Sequence, residues 1–262
     1  MKRVYRHEAN GAYWDRRWSE AGSDSESFTD LTIYPIRYAE MVMTDKAARA
    51  LEIGCGLGRV LKHYARLGFQ VAGIERSRVA VERLQEELPG LAVVEGDVLT
   101  LPYPDASFDV TMAFGVFHNL EQGLDQALSE TARVLKVDGR FAISMRPNNI
   151  EMNGNEIYWR WKSRATRKGP RQFHKLLVGR KEFRNMLERY GLKTDHIYYA
   201  RNVSLWYRIP LLRSAADYGA SEAARRASGY QLNALGKLLD RASIALFPYQ
   251  TSNAIVYIGH KS

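Results

Sequence analysis

Three glycines alternate with other residues where an apolar run, residues 50–53, comes to an end. Gly54, Gly56 and Gly58 follow this run, and a helical pattern begins at Arg59. Glycines at such a strand-to-helix turn adopt positive φ easily and let a ligand approach the backbone closely. A dinucleotide-binding G-x-G-x-x-G motif would need its third glycine at Arg59, and no Gly-Lys-Ser/Thr follows for a P-loop. The spacing therefore argues against nicotinamide, flavin and P-loop nucleotide sites.

Acidic residues close the next two apolar runs. Glu75 ends the run 69–75, and Asp97 follows Gly96 at the end of the run 91–95. A carboxylate that closes a second strand can accept two hydrogen bonds from ribose hydroxyls. Glu75 can equally act as a charge at the start of the next helix, which Ser77 can cap. The two roles are compatible.

In this order, the motifs resemble those of the class I S-adenosylmethionine-dependent methyltransferases, whose first motif reads E-x-G-x-G-x-G. The segment Leu-Pro-Tyr-Pro-Asp-Ala-Ser-Phe-Asp-Val at 101–110 is typical of the small-molecule members. The resemblance covers roughly residues 49–200 and implies S-adenosylmethionine as cofactor. It places Glu52 at the cofactor's amino group, Asp97 near the adenine amino group and Val98 against the ring. The cofactor contacts predicted in this way are Glu52, Gly54, Cys55, Gly56, Gly58, Glu75, Arg76, Asp97, Val98 and Phe114.

Strand and helix patterns alternate from about residue 49 to residue 146. Strands are predicted near 49–54, 70–75, 91–95, 108–114 and 139–145, with helices at 59–68, 77–88 and 121–136 between them. This alternation predicts an α/β fold with a doubly wound, mostly parallel sheet, which the family resemblance extends to seven strands of the Rossmann-like methyltransferase type. The cofactor is then expected at the carboxyl ends of the strands.

The remaining residues are assigned to a cap and a lid. Residues 1–44 are predicted to form an N-terminal helical cap over the cofactor pocket. The resemblance implies this, because many family members have a helix over that pocket with a Tyr-Trp-Asp sequence like the one at 13–15. Residues 45–200 and 251–262 form the core. Residues 146–179 and 201–250 are insertions that form a substrate lid, with helices near 214–228 and 230–246. The predicted acceptor contacts are Tyr13, Trp14, Arg146, Trp159 and Trp206.

His118 is the candidate catalytic residue. It follows the fourth strand, in a segment that abuts the transferred methyl group in the family, and an imidazole titrates near working pH. A hydroxyl acceptor must lose its proton, so a base at this position favours methyl transfer to oxygen. The alternative is that His118 only packs or orients the loop. Arg146, at the end of the fifth strand, is either a site for an anionic acceptor group or a surface charge.

Several kinds of methyltransferase are excluded by missing motifs. The Asp/Asn-Pro-Pro-Tyr/Phe motif with which amino-methylating DNA enzymes stack a flipped base does not follow the fourth strand. A Pro-Cys nucleophile for C5 methylation of cytosine is also missing, because the single cysteine is Cys55 in the glycine loop. The two positions where Mg²⁺-dependent relatives carry acids hold Phe114 and Arg146 with their neighbours, so no metal is expected. One cysteine, no signal sequence and no apolar run of about 20 residues predict a cytoplasmic protein.

Positive charge is concentrated in the C-terminal part of the chain. Residues 1–150 carry 18 Lys and Arg against 21 Asp and Glu, whereas residues 151–262 carry 20 against 8. The basic side chains of residues 151–262 either attract anions or form an ordinary solvated face. The leading interpretation is a methyltransferase acting on a small or amphiphilic acceptor, with possible contact to an anionic membrane. The runner-up is an RNA methyltransferase, and a non-catalytic cofactor-binding protein is a third alternative. The oligomeric state does not follow from the sequence.

Overall fold

The computed structural model describes residues 1–7, 34–162, 169–200, 204–217 and 230–262. Its nine strands are β1 (Lys2–Arg6), β2 (Arg49–Ile53), β3 (Gln70–Glu75), β4 (Ala92–Glu95), β5 (Phe108–Ala113), β6 (Leu135–Met145), β7 (Gln172–Leu177), β8 (Leu192–Ala200) and β9 (Ala254–Lys261). Its seven α-helices are α1 (Ile36–Ala39), α2 (Arg59–Arg66), α3 (Arg78–Glu87), α4 (Leu124–Val134), α5 (Ile150–Lys162), α6 (Arg180–Arg189) and α7 (Ala234–Leu246).

Seven strands form the main sheet in the order β4-β3-β2-β5-β6-β9-β8. The pairs from β4 to β6 are parallel, and β9 lies antiparallel between β6 and β8. The register sets Ile53 beside Ile74 and Glu75 beside Glu95. The carboxyl ends of β2, β3 and β4 therefore meet at one edge of the sheet. The predicted fold class, a mostly parallel seven-stranded α/β sheet, is confirmed.

Both faces of the central sheet are covered. Four of the five residues of β2 are buried, as is usual for an inner parallel strand. Because side chains alternate along a strand, Ala50 packs in a cluster with residues of α1 and α2, whereas Leu51 packs in a cluster with residues of α4 and α6. A layer of helices on each face holds the strand ends in fixed positions.

A two-stranded ribbon of β1 and β7 was not predicted. β1 pairs antiparallel with β7, and Lys2 lies opposite Leu177. Residues 2–6 therefore differ from the predicted N-terminal helix. The ribbon is attached next to the end of β6, because the Val178 N–H donates to the Arg146 carbonyl at 3.0 Å. It thus lies at the same edge of the main sheet as the glycine turn.

Further differences from the predicted elements concern residues 124–262. Residues 146–179, predicted only as an insertion, contain α5 and β7. Helix α4 was predicted to reach Lys136 but ends at Val134, and the Lys261 ammonium group donates to the carbonyls of Ala132 and Leu135 there. Helix α7 matches the predicted helix 230–246 in part, and the other predicted helix lies mostly outside the described residues. No helix in the described ranges is long and apolar enough to span a membrane.

Candidate functional site

The glycine turn after β2 is tightly packed against its neighbours. Gly54, Gly56 and Gly58 have φ values of +68°, +54° and +68°. The Gly54 N–H donates to the Ile74 carbonyl at 2.8 Å. A Cβ atom on Gly54 would lie 2.7 Å from the Cβ of Val116. A side chain larger than hydrogen is therefore excluded at Gly54 for reasons of both backbone conformation and space.

Glu75 connects the turn to the end of β3. Its Oε2 atom accepts a hydrogen bond from the Gly56 N–H and its Oε1 atom accepts one from the Ser77 N–H, both at 2.9 Å. Each carboxylate oxygen has a second lone pair that can accept from a ligand hydroxyl. Ser77 precedes α3 but its own side chain makes no cap bond. Glu75 therefore stabilises the start of α3 and leaves acceptor capacity beside the glycine turn.

The other predicted contacts surround this position. Asp97 is half-buried, and its Oδ1 atom accepts from the Leu99 N–H at 2.9 Å. Val98 is buried, whereas Arg76 is exposed. Phe114, directly after β5, lies edge-on to Tyr34 with ring centroids 5.9 Å apart. Positive-φ glycines beside an acid at the end of β3 and another after β4 fit a nucleoside cofactor with an amino-acid tail.

Glu52 is buried beneath the turn. Its Oε2 atom accepts a hydrogen bond from the Leu61 N–H at 2.9 Å, in the first turn of α2. Gly58 is the N-cap of α2 and has no side chain to do this, so Glu52 supplies the missing acceptor. Burial, followed by the charge of Glu75, raises the pKa of Glu52 to about 8. Contact with the cofactor's amino group stays a prediction.

The raised pKa of Glu52 makes stability depend on pH. An unfolded glutamate has a pKa of about 4.3, so the folded state holds the proton more tightly and the free energy of unfolding falls as pH rises from there to about 8. Glu52→Gln keeps an acceptor for Leu61 and removes the ionisation. We expect its melting temperature to exceed that of the wild type by roughly 3 °C or more at pH 8, and by much less at pH 5. Thermal unfolding at both pH values measures this; a difference that does not change with pH would contradict the assignment.

His118 lies in a 3₁₀ turn after β5 and is buried. Burial lowers the pKa of His118 well below its ordinary value, and the charges of Arg146 and Lys175 and the nearby His174 lower it further. The expectation that His118 titrates near working pH is therefore wrong. Burial and these positive charges favour the neutral imidazole, which leaves a base role and a packing role both open.

The ribbon contributes two residues that the sequence did not reveal, His174 and Lys175 on β7. Burial and nearby cations lower the pKa of His174 to about 3. The Lys175 ammonium lies 2.7 Å from Glu156, which also accepts from Arg6 at 2.8 Å. Burial lowers the pKa of Lys175 to about 8. No strict alternation marks this strand, so only its pairing with β1 could have identified it.

Tyr34 and Ser144 are further residues that the sequence did not single out. The Tyr34 hydroxyl donates to the Ser144 Oγ atom at 2.6 Å, and the Gly115 N–H donates to the same atom at 2.9 Å. Tyr34 also contacts Phe114. The chain at residue 34 is thus held against the ends of β5 and β6. Tyr13 and Trp14 lie outside the described residues.

The three remaining acceptor candidates have contacts within the protein. The Arg146 Nη1 atom donates to the Asn253 carbonyl at 2.9 Å. The ring of Trp159 has the guanidinium groups of Arg6 and Arg208 over it, at 5.7 and 5.5 Å from the centroid. The Trp206 indole N–H donates to the Ser243 Oγ atom at 3.0 Å. Contact of these side chains with an acceptor stays a prediction.

Neither a metal centre nor a reactive thiol is found in the described part of the chain. No cluster of three His, Cys, Asp or Glu side chains there has the arrangement of a metal site. The thiol of Cys55 is buried, and burial raises its pKa well above the ordinary value. A protonated thiol is a poor nucleophile. The glycine turn therefore offers its backbone, not the cysteine, to a ligand.

A glycine turn after β2, with one acid at the end of β3 and another after β4 at one edge of a mostly parallel sheet, is typical of a nucleoside-cofactor-binding α/β domain. Residues 51–143 match the sequence family described as "Methyltransferase domain". The structure is similar over 96% of the chain to an S-adenosylmethionine-dependent methyltransferase from Archaeoglobus fulgidus, with a TM-score of 0.59 and 17% identity over 99% of that protein. Residues 51–143 therefore belong to a class I S-adenosylmethionine-dependent methyltransferase domain, whose cofactor is S-adenosylmethionine.

Curated relatives match only part of the chain. The 27-O-demethylrifamycin SV methyltransferase of Amycolatopsis mediterranei is 35% identical over 138 residues, which are 50% of this chain and 48% of the relative. The demethylmenaquinone methyltransferase of Thermobifida fusca is 38% identical over 99 residues, 36% of this chain and 41% of that protein. The chain thus spans about half or less of the length of these relatives.

Proposed function

We propose that this protein transfers a methyl group from S-adenosylmethionine to an oxygen atom of a small or amphiphilic acceptor that carries a negative charge. The observation that carries the proposal is the position of the loop after β5. Val116 of this loop packs against Gly54 of the cofactor turn, and His118 lies in the field of Arg146 and Lys175. One loop therefore connects the cofactor side to a cationic acceptor side.

Methyl transfer to a hydroxyl oxygen requires alignment of the acceptor with the methyl group and the transfer of one proton. When bound, S-adenosylmethionine supplies a methyl group attached to a positively charged sulfur, and the sulfur is left as a neutral thioether after transfer. Holding the acceptor oxygen in line with that methyl carbon can contribute about 7–11 kcal/mol. The neutral imidazole of His118 accepts the hydroxyl proton, and the cations beside it favour the negatively charged acceptor oxygen.

The relatives support a small acceptor. Two of them are named for 27-O-demethylrifamycin SV and for demethylmenaquinone, neither of which is a macromolecule. The net positive charge of residues 151–262 suits an acidic acceptor and would also suit RNA. A non-catalytic protein would bind the cofactor without turnover.

Transfer of a labelled methyl group separates these possibilities. The purified protein is incubated with methyl-labelled S-adenosylmethionine and a cell extract divided into RNA, lipid and small-molecule fractions. We expect label in the lipid or small-molecule fraction that survives ribonuclease. Label confined to RNA would overturn the proposal, and cofactor binding without label in any fraction would favour the non-catalytic alternative.

Substitution of His118 tests its proposed role. His118→Asn removes the base but keeps a polar side chain of similar size. We expect kcat to fall by about 100-fold or more, with the Kd of S-adenosylmethionine changed less than about threefold. Because the pKa of His118 is well below its ordinary value, the wild-type rate should show no loss of activity centred near pH 6.5 on the acid side. Unchanged kcat in His118→Asn would assign the residue to packing alone.

A further inference from the structure

Helix α7 presents apolar side chains to solvent. Leu235, Leu238 and Leu246 are 53%, 64% and 70% exposed, and their spacing places them in one stripe along the helix. Phe247 follows directly and is 60% exposed. Leu211, 76% exposed, lies beside the start of the helix, because the Asn233 side chain donates to the Leu211 carbonyl. Such an amount of exposed apolar surface on one helix is unusual for a face that meets only water.

The side of α7 next to this stripe accounts for the attachment of the helix to the protein. Gly236 is buried so closely that a Cβ atom would lie 2.6 Å from the Leu212 carbonyl oxygen. Leu239 packs against the cluster of Tyr207, Leu212 and Leu232. The helix is therefore held by this inner side. Its outer stripe makes no contribution to the apolar clusters formed by the described residues.

Helix α5 carries a second exposed stripe. Ile150, Ile157 and Trp161 are 65%, 68% and 65% exposed, and their spacing of seven and four residues places them on one side of the helix. Gly154 lies beside this stripe on the helix surface, and it packs against Leu205 of the 3₁₀ segment 205–208. This stripe therefore borders the segment that also contacts α7.

The two stripes lie on helices that adjoin each other. The Ile150 N–H donates to the Gln250 side chain at 3.1 Å, and the Glu151 N–H donates to the Gln250 carbonyl at 2.9 Å, just after the end of α7. At the other end, the Arg208 guanidinium lies 5.1 Å from the ring centroid of Tyr158. The start of α5 thus adjoins the end of α7, and the segment 205–208 joins the helices between. We call this surface, formed by the exposed stripes of α5 and α7 with Leu211, the helical patch.

The charges that point outward from the two helices are all positive among the described residues. Arg160, Lys162, Lys237 and Arg241 are exposed. In contrast, Glu151 and Glu156 are buried, and the half-buried Asp240 contacts Ser204. An apolar stripe bordered by Lys and Arg, with Trp at one end, is the pattern that binds the interface of a bilayer containing anionic lipids.

We propose that the helical patch docks the protein on an anionic lipid bilayer. Because α5 follows β6 directly, the patch lies at the edge of the sheet where the cofactor turn and His118 lie. A bilayer-resident acceptor would then be presented to that edge. The docking itself does not depend on methyl transfer, so it can be tested whether or not the acceptor is known.

Vesicle binding by the full chain tests the docking. Vesicles of phosphatidylcholine alone are compared with vesicles that also contain phosphatidylglycerol. The test variant is Leu238→Glu with Leu246→Glu. The control is Val137→Glu, which changes a residue 66% exposed near the start of β6, away from the carboxyl edge. Melting temperature and S-adenosylmethionine affinity show that each variant is folded, which separates loss of docking from loss of the proposed activity.

We expect the wild type to partition onto the anionic vesicles. The partition coefficient of the double glutamate variant should be lower by about tenfold or more. The control should lie within about twofold of the wild type. A second variant, Lys237→Ser with Arg241→Ser, should lose the preference for anionic over neutral vesicles while keeping the fold. Absence of wild-type binding, equal binding by the double glutamate variant, or a dimer that this variant abolishes would each overturn the proposal, the last by assigning the patch to a second copy of the chain.

Discussion

Replacing Glu75 with alanine is expected to weaken S-adenosylmethionine binding by about 100-fold or more. The carboxylate is predicted to accept two ribose hydroxyls, and hydrogen bonds to a charged group contribute about 1.5–3 kcal/mol each. The carboxylate also accepts hydrogen bonds from the N–H groups of Gly56 and Ser77. The alanine variant therefore also removes the hydrogen bond that holds the glycine turn at Gly56. Equilibrium titration of the cofactor measures the loss.

Two further variants make the Glu75 result specific. Glu82→Ala removes an exposed glutamate of α3 that pairs with Arg78 at 2.7 Å, and should leave the cofactor Kd within about twofold of the wild type. Glu75→Gln keeps one acceptor oxygen and should bind with intermediate affinity. A Kd for Glu75→Ala close to that of Glu82→Ala would remove Glu75 from the cofactor site.

Alanine at Gly54 is expected to cost both stability and cofactor affinity. The residue has a φ of +68°, and its new Cβ atom would lie 2.7 Å from Val116. A left-handed conformation costs a non-glycine residue about 1–2 kcal/mol, and overpacking typically adds about 1–3 kcal/mol. The displaced turn can no longer hold the cofactor closely. Urea unfolding and cofactor titration measure the two effects.

Gly68 provides the matched control for Gly54. It has a φ of +80°, but a Cβ atom there would meet nothing within 4 Å. Gly68→Ala should therefore lose only the conformational part of the free energy of unfolding and keep its cofactor affinity. Equal losses in the two variants would mean that contact with Val116 does not constrain the turn.

The cofactor side was predictable because its signals are local. Gly54, Gly56 and Gly58 interrupt an apolar run, and Glu75 and Asp97 close the next two runs. Parallel strands with short connections bring such positions to one edge without further information. The structure places Glu75 beside the turn, as this reasoning requires, although its role toward ribose stays a prediction.

The acceptor side was not predictable because its contacts join distant parts of the chain. β1 and β7 pair across about 170 residues, and neither strand alternates strictly enough to be recognised alone. The pKa of His118 depends on burial and on charges from β7 and the end of β6, so its sequence neighbours could not reveal the shift. Similarly, Glu52 bonds Leu61 because Gly58 leaves the helix start without a cap, which only the packing shows.

The lid residues give the least information about function from sequence. The segment 158–164 interleaves aromatic and basic residues, a pattern that fits base stacking, a membrane interface or, most often, ordinary packing. In the structure, Trp159 contacts cations of the protein itself, whereas Trp161 is exposed. Neighbouring tryptophans thus differ in environment because helix α5 turns them to different sides.

The most direct measurement is a crystal structure of the protein with S-adenosylhomocysteine. We expect one molecule per chain across the carboxyl ends of β2, β3 and β4, with both ribose hydroxyls within hydrogen-bond distance of Glu75 and the adenine beside Asp97 and Val98. The sulfur should face the loop that carries His118. S-adenosylhomocysteine bound elsewhere, or no bound molecule at saturating concentration, would contradict the assignment of this edge as the methyl-transfer site.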